Sequence, residues 1–268
     1  MPGEVTYGRA VRTIPGSGVV FTETLHEPEL ALPAHEHTHA QVNFVFSGSF
    51  EESVGRRAFG CQAGSMLVKP AGAPHSNRYG SRPAHCLIVE FLPAFGAREW
   101  SDSRLLDDIL YTEETSITGI GWRLHREIRA PDSATPLAVS ELVQELLGAA
   151  DSERARGIRE RSAPSWLSRV RDQLDHASGD IDCTQLASAL GVHPRHMMRA
   201  FRRYAGCSLG EYLRRRRVRR AQRLLTESDL TVAQVAVDTG FYDQSHFTRT
   251  FRRLSGLTPG AYRELMRL

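Results

Sequence analysis

The sequence has few cysteines and no CxxC pair: Cys61, Cys86, Cys183 and Cys207 lie far apart along 268 residues. No apolar run approaches the roughly 18 residues that a bilayer-spanning helix needs. The first residues, MPGEVTYGRAVRT, lack the apolar core of a signal peptide. These absences exclude a disulfide scaffold and argue against a membrane or secreted protein. We therefore expect a cytoplasmic protein with reduced thiols and no membrane partner.

The charge of the chain is unevenly distributed, although its net value is only +3. Residues 164–268 carry 18 arginines against 10 acidic residues, a net of +8, whereas residues 1–163 carry 16 basic and 21 acidic residues, a net of −5. The length suits two domains with separate cores. A basic domain joined to an acidic one predicts a polyanionic partner for the C-terminal part alone.

The C-terminal part contains an internal repeat. VHPRHMMRAFRRYAGCSLGEYL (192–213) and YDQSHFTRTFRRLSGLTPGAYR (242–263) are identical at eight of 22 positions. Ahead of the first copy, Asp182 can cap a short helix, and a glycine can supply the left-handed turn residue. Ahead of the second, Thr231 and Gln234 form a capping-box pattern, again followed by a glycine. Each copy therefore predicts a helix, a tight turn and a second helix, which is the helix-turn-helix arrangement.

The second helix of each copy has an apolar face and a polar face when its residues are placed at 100° intervals. The apolar residues are Met197, Phe201 and Tyr204 in the first copy and Phe247, Phe251 and Leu254 in the second; the outward residues are Arg195, Arg199 and Arg202, then Ser245, Arg249 and Arg252. Arginines on a surface helix can serve solubility alone. Outward arginines at matching positions in two copies instead favour contacts with guanine edges and phosphates.

A third helix is predicted between the two copies. SLGEYLRRRRVRRAQRLLTES opens with a Ser208–Glu211 capping box and reads as one helix to about Thr226. Its length of roughly 27 Å could hold two recognition helices near the ~34 Å spacing of successive major grooves. Its six clustered arginines lie near phosphates or pair with acidic neighbours, and the sequence leaves both alternatives open.

The segment LASALGVHPRHMMRAFRRYAGCSLGEYLRRRRVRRAQRLL, followed by VAQVAVDTGFYDQSHFTRTFRRLSGLTPGAYR, closely resembles the DNA-binding domain of AraC/XylS-family transcription regulators. The resemblance implies seven helices, with two helix-turn-helix subdomains in adjacent major grooves of double-stranded promoter DNA. It also implies RNA polymerase as a partner if the protein is an activator. His193 departs from the family, which usually has a Ser or Thr helix cap there. The family's base-contacting positions fall on Arg195, Met198, Arg199, Gln244, Ser245, Thr248 and Arg249, while Arg202 and Arg252 are placed for phosphates.

Residues 5–95 look all-β, because short β-branched and aromatic runs alternate with Gly and Pro. LPAHEHTHAQVNFVFSG places His35, His37, His39 and Gln41 at every second position, on one face of an extended strand. Two spacings, HxHx3Qx6G starting at His35 and Gx5PxGx2H ending at His75, resemble the two motifs of the metal-binding cupin barrel.

Three positions depart from those cupin motifs: Gln41 replaces a Glu, Glu29 stands at the leading Gly, and Tyr79 replaces the final Asn. An amide oxygen is a weaker ligand than a carboxylate. Three alternatives remain for the N-terminal site. It holds a divalent metal through His35, His37, Gln41 and His75, it is a metal-free pocket for a small organic effector, or its histidines merely line the barrel mouth. The candidate pocket residues are His35, His37, His39, Gln41 and His75.

Residues 99–150 look helical, including SRLLDDILY, GWRLHREI and TPLAVSELVQELLGAAD. In the last of these, Ala138, Leu142, Leu146 and Ala149 form a wide apolar stripe that either packs on the barrel or forms a dimer interface. We favour the dimer. The polar residues 151–163 read as a linker.

The predicted fold class is therefore a multidomain α+β protein. It has a cupin-like, effector-sensing barrel over 1–98, a helical and dimerising segment over 99–150, a linker, and an all-α domain with two helix-turn-helix motifs over 164–268. We predict a non-enzymatic, sequence-specific transcription regulator of the AraC type, acting as a homodimer. The alternative is an oxygenase-like, metal-dependent cupin enzyme with a fused DNA-binding domain. Fused DNA readers have no use in turnover, which disfavours that alternative.

Overall fold

The computed structural model describes residues 8–16, 18–92, 105–176 and 181–266. Its first half is built of strands in two antiparallel sheets. The strands are β1 Arg9–Pro15, β2 Val19–His26, β3 Ala31–His35, β4 Ala40–Ser47, β5 Ser49–Val54, β6 Arg57–Gln62, β7 Ser65–Lys69, β8 His75–Tyr79, β9 Ala84–Phe91 and β10 Leu110–Thr112. This strand-rich domain, followed by helices, confirms the predicted fold class.

The strands are ordered β1-β2-β9-β4-β7-β10 in the larger sheet and β3-β8-β5-β6 in the smaller one. Because side chains alternate along a strand, each central strand of the larger sheet has two buried faces. Val45, Leu67 and Cys86 face the smaller sheet and share a core with Phe50 and Tyr79. The opposite face carries residues such as Phe44, Met66 and Leu87, which the helices cover.

The predicted helix over SRLLDDILY is wrong within the described residues. Leu105–Asp107 forms one 3-10 turn, and Leu110–Thr112 is strand β10, antiparallel to β7 with Leu110 opposite Val68. Tyr111 and Thr112 favour strands, and pairing satisfies the backbone edge of β7. The predicted domain boundary at 98/99 lies outside the described residues.

The second half of the chain is helical. The helices are α1 Thr115–Arg129, α2 Thr135–Arg161, α3 Ser165–His176, α4 Cys183–Ala189, α5 Pro194–Ala205, α6 Leu209–Glu227, α7 Val232–Asp238, α8 Gln244–Ser255 and α9 Pro259–Met266. Helices α3 to α9 are the seven that the resemblance implies. Pairs α4–α5 and α7–α8 are the two helix-turn-helix units, and their turns use Gly191 at φ 67° and Gly240 at φ 78°. No helix in the described part of the chain is long and apolar enough to cross a bilayer.

Helix α2 concerns two predictions, the linker and the dimer interface. It runs on to Arg161, so most of the segment predicted as a linker is helical. Arg154 anchors this polar part by donating hydrogen bonds to the backbone oxygens of Leu105 (2.9 Å) and Asp108 (2.7 Å). The apolar stripe lies within the chain's own core, with Leu142 4% and Leu146 0% exposed. Leu142 and Leu146 are thus covered by the chain itself, whereas Ala138 and Ala149 are half-buried, and the dimer interface stays a prediction.

Helix α1 joins the larger sheet to the C-terminal helical domain. Gly121 in α1 leaves room for the Phe44 ring, because a Cβ there would lie 2.4 Å from Phe44 Cδ1. One continuous core includes the outer face of the larger sheet, α1, α2 and the second helix-turn-helix unit, for example Phe247 and Phe251. The first unit has a core of its own around Met197 and Phe201. The two units are therefore attached to the rest of the molecule in different ways.

Candidate nucleic-acid interface and sensor pocket

The helices α5 and α8 begin and end alike, as the repeat predicts. His193 Nδ1 accepts a hydrogen bond from the Arg195 backbone N–H (3.2 Å), and Asp243 Oδ1 accepts one from that of His246 (2.6 Å). Each helix has 12 residues and ends at a left-handed glycine, Gly206 or Gly256. Histidine thus performs the capping role that a Ser or Thr would have, and the start of α5 is defined.

The two helices bury their apolar faces and expose the predicted polar ones. Met197, Phe201, Phe247 and Phe251 are all 0% exposed. Thr248 is half-buried at the edge of the outward face. The other predicted DNA-contacting residues are exposed, namely Arg195, Met198, Arg199 and Arg202 on α5 and Gln244, Ser245, Arg249 and Arg252 on α8.

Part of the arginine cluster of α6 pairs with acidic neighbours, which is one of the two alternatives that the sequence left open. Arg215 contacts Glu114 at 2.9 Å and Glu211 at 2.6 Å. Arg219 contacts Glu113 at 3.5 Å. Glu113 and Glu114 directly follow β10 of the sensor domain, so these pairs attach α6 to that domain.

The structure brings together three of the predicted pocket histidines. The ring centroids of His35 and His75 lie 4.2 Å apart, and that of His37 lies 5.1 Å from His75. Gln41 is buried and lines the same small cavity, of about 30 Å³. His39 is not among the residues that line it, because β3 ends at His35 and the chain bends before β4, which interrupts the predicted alternation.

Sequence reasoning missed the central residue of this pocket. Lys69, the only lysine in the chain, is 5% exposed on β7. Its Nζ lies 2.7 Å from Glu52 Oε1 and 3.0 Å from His75 Nε2. A single lysine among 34 basic residues, at an inward-facing strand position, was the available signal.

The pocket residues do not fit a divalent metal. His75 Nδ1 donates to the Ala73 carbonyl (2.9 Å), so its Nε2 accepts from Lys69 and is unavailable to a cation. Burial and then the Lys69 ammonium lower the pKa of His75 to about 3 and that of His26 to about 4. Gln41 Nε2 donates to Glu90 Oε1 at 3.0 Å. The site is thus a group of histidines and amides around one buried ammonium–carboxylate pair, and the lowered pKa values keep His75 and His26 neutral.

A second cluster, unforeseen from the sequence, lies on the opposite face of the larger sheet. Glu23 on β2, His85 on β9 and His125 on α1 are all buried, with candidate ligand atoms within 4.8 Å of one another. Burial raises the pKa of Glu23, but His125 and His85 outweigh it and hold the pKa well below its ordinary value. The three residues are far apart in sequence, so no spacing indicated them.

These features define a protein with a strand-rich N-terminal domain and a double helix-turn-helix domain. The AraC-like ligand binding domain model matches residues 17–147, and a helix-turn-helix domain model matches residues 186–265. Together the two matches cover most of the chain, which belongs to the AraC family of transcription regulators.

Individual relatives resemble different shares of the chain. The transcriptional regulator GlxA of Rhizobium meliloti is 41% identical over 100 residues, which are 37% of this chain and 31% of that protein. The chain therefore aligns with about a third of GlxA. The arabinose operon regulatory protein of Salmonella typhimurium is 26% identical over 232 residues, 76% of each protein. The solved DNA-binding domain of AdpA, a global transcriptional factor in complex with a target DNA, is 35% identical with a TM-score of 0.35, covering 38% of this chain and 92% of that one.

Proposed function

We propose that the chain regulates transcription in the cytoplasm by inserting α5 and α8 into adjacent major grooves of double-stranded promoter DNA. The observation that carries this proposal is the pair of equally capped helices with exposed arginines at matching positions, Arg199 and Arg249. Helix α6, of 19 residues, connects the two units rigidly. A rod of roughly 28 Å suits two helices reading one face of the duplex.

The residues on the outward faces divide into two roles. Arg199 and Arg249 match guanine O6 and N7, Gln244 matches adenine, and Met198, 46% exposed, matches a thymine methyl group. Arg202 and Arg252 lie one turn further along each helix and suit phosphates. A mixture of amide, hydroxyl, thioether and guanidinium groups favours a sequence-specific reader over a binder that recognises the backbone alone.

The histidine–lysine pocket is proposed to take a small polar effector. His35, His37, Gln41, Lys69 and His75 offer it hydrogen-bond donors and acceptors. The cavity of about 30 Å³ is smaller than such a molecule, so binding must displace its walls. A ligand alters DNA binding only if it favours one arrangement of the domains over another.

The contacts offer a direct route for that displacement. Lys69 ends β7, which pairs with β10, and β10 leads directly into Glu113 and Glu114. These two carboxylates pair with Arg219 and Arg215 of α6. Movement of β7 would therefore change the ion pairs between the N-terminal domain and α6, the helix that connects the two helix-turn-helix units.

The proposal includes no enzymatic activity. The buried Lys69 ammonium disfavours the metal-dependent alternative at the cupin-type site, because it occupies His75 Nε2. We further propose a homodimer, and contact with RNA polymerase if the protein is an activator.

The test is genome-wide mapping of bound DNA, followed by fluorescence anisotropy on the recovered operator and on random DNA. Arg199→Ala/Arg249→Ala should lose operator preference. Arg56→Ala, an exposed arginine in the β5–β6 turn, is the matched control and should bind like the wild type. Equal operator preference for the double variant and the wild type would refute the proposal.

A further inference from the structure

Glu23, His85 and His125 form an inward-facing group between the sheet and α1. Glu23 and His85 lie on one face of neighbouring strands, since Glu23 is opposite Leu87 and Leu25 is opposite His85. His85 Nε2 is 2.8 Å and His125 Nε2 is 3.0 Å from the same oxygen, Glu23 Oε1. Two imidazole nitrogens and a carboxylate oxygen thus meet at one point that is closed to solvent.

His125 is fully buried, and its ring nitrogens lack regular hydrogen-bond partners among the described residues. The residue is 0% exposed, and its Nε2 lies 3.0 Å from Glu23 Oε1 without the geometry of a regular hydrogen bond. The Nδ1 atoms of His85 and His125 are likewise buried without hydrogen-bond partners in the described part of the chain. Nothing on the far side of either ring therefore fixes the tautomer that would donate from Nε2 to the carboxylate.

We propose that Glu23, His85 and His125 bind a zinc ion that fixes α1 to the sensor sheet. Two imidazole nitrogens and a carboxylate are a ligand set that Zn²⁺ accepts, and the second oxygen of Glu23 or one water completes four-coordination. The Phe46 ring, with its centroid 4.7 Å from His125 and 3.8 Å from Trp122, covers the site, and all three ligands are buried. The ion is therefore structural.

One cation adjoins this site within the described residues. Arg129 Nη1 lies 3.8 Å from Glu23 Oε1, but its side chain is 33% exposed. It can turn towards solvent when the carboxylate binds an ion. The cluster of His35, His37 and His75 differs in its chemistry. There the buried Lys69 ammonium contacts His75 Nε2, and the three candidate ligands include no carboxylate.

A zinc ion at this site would hold helix α1 against the sheet. Helix α1 carries His125 and also Gly119 and Trp122, which lie against Ser255 of the second helix-turn-helix unit and Tyr262 of α9. Zinc would thus stabilise the surface on which that unit rests.

The test uses the full-length chain, stripped with a chelator and then incubated with Zn²⁺ or Co²⁺. Elemental analysis after desalting should find about one equivalent of zinc, and Co²⁺ should give the visible absorption of a tetrahedral site with nitrogen and oxygen ligands. Zinc should also raise the Tm of the stripped wild type. A wild type that retains no zinc and shows no change in Tm would overturn the proposal.

Variants locate the ion. His125→Gln and Glu23→Gln should each abolish the retained equivalent and the zinc-dependent rise in Tm. Two substitutions are used so that one folded variant, judged by circular dichroism, suffices. The matched variant His37→Gln/His75→Gln, in the other histidine cluster, should retain the ion. Loss of zinc in that variant, together with its retention in a folded His125→Gln or Glu23→Gln, would also overturn the assignment.

Discussion

The rings of Trp122 and Tyr262 meet edge to face, with centroids 4.7 Å apart. Trp122 belongs to α1 of the sensor and Tyr262 to α9 of the DNA-binding domain, and both are almost fully buried, at 1% and 0% exposure. The sensor and the second helix-turn-helix unit therefore share one core. The first unit has a separate core around Met197 and Phe201, and helix α6 connects it to the second unit.

Gly119→Val should weaken this shared core. A Cβ at Gly119 would lie 3.0 Å from the Ser255 backbone oxygen, so a branched side chain must push α1 away from α8. We expect the free energy of unfolding in urea to fall by about 1–3 kcal/mol, as for other overpacked cores. Gly148→Val in α2 is the matched control, since a Cβ there meets nothing within 4 Å, and it should change stability little. Equal effects of the two substitutions would contradict a close α1–α8 contact.

Arg249→Ala and Arg252→Ala should have different effects on DNA binding. Loss of Arg249 should cost about 1–3 kcal/mol of binding free energy on the operator and relax the preference at one base pair. Loss of Arg252 should weaken all sequences about equally and lower the salt slope by about one unit. Anisotropy titrations on operator and random DNA at several salt concentrations measure both. Matching losses for the two variants on both DNAs would overturn the assignment of roles.

Lys69→Met should lower the free energy of unfolding more than the double substitution Lys69→Met/Glu52→Gln does. The single substitution leaves the Glu52 carboxylate 0% exposed and without its 2.7 Å partner. An uncompensated buried charge costs about 3–5 kcal/mol, whereas removal of both charges costs much less. Urea unfolding of both variants at pH 7 decides the matter. A double variant no more stable than the single one would show that the pair is not the source of the loss.

Stability should fall as the pH is lowered from about 6.5. Burial, followed by the Lys69 ammonium, lowers the pKa of His26 from 6.5 to about 4 and that of His75 from 6.5 to about 3. Both rings are neutral when folded but take up protons when unfolded below pH 6.5, so unfolding consumes protons. Each histidine should contribute a loss of about 1.4 kcal/mol per pH unit until its folded pKa is reached.

Urea unfolding at pH 7, 6 and 5 measures this slope. His75→Gln should reduce it by the share of one histidine. A wild-type slope that His75→Gln leaves unaltered would contradict the burial of a neutral His75.

Much of the DNA-binding domain follows from local signals in the sequence. The Thr231–Gln234 capping box, the Asp243 cap and the turn at Gly240 all form as predicted, because each depends on residues within one helical turn. The apolar and polar faces of α5 and α8 follow from the 3.6-residue period. The family could be predicted from the sequence for the same reason, because these local motifs recur at fixed spacings.

The tertiary structure alone decided what depends on residues distant in the chain. An apolar stripe such as that of α2 has the same sequence pattern whether it packs inside its own chain or against a second copy. Only the position of α1 in the fold shows that it packs inside. Strand β10 exists because β7 offers a free edge. Lys69 meets His75, and Glu23 meets His125, only after strands and a helix separated along the chain have packed together. No spacing in the sequence encodes those meetings, because the distances that create them belong to the fold.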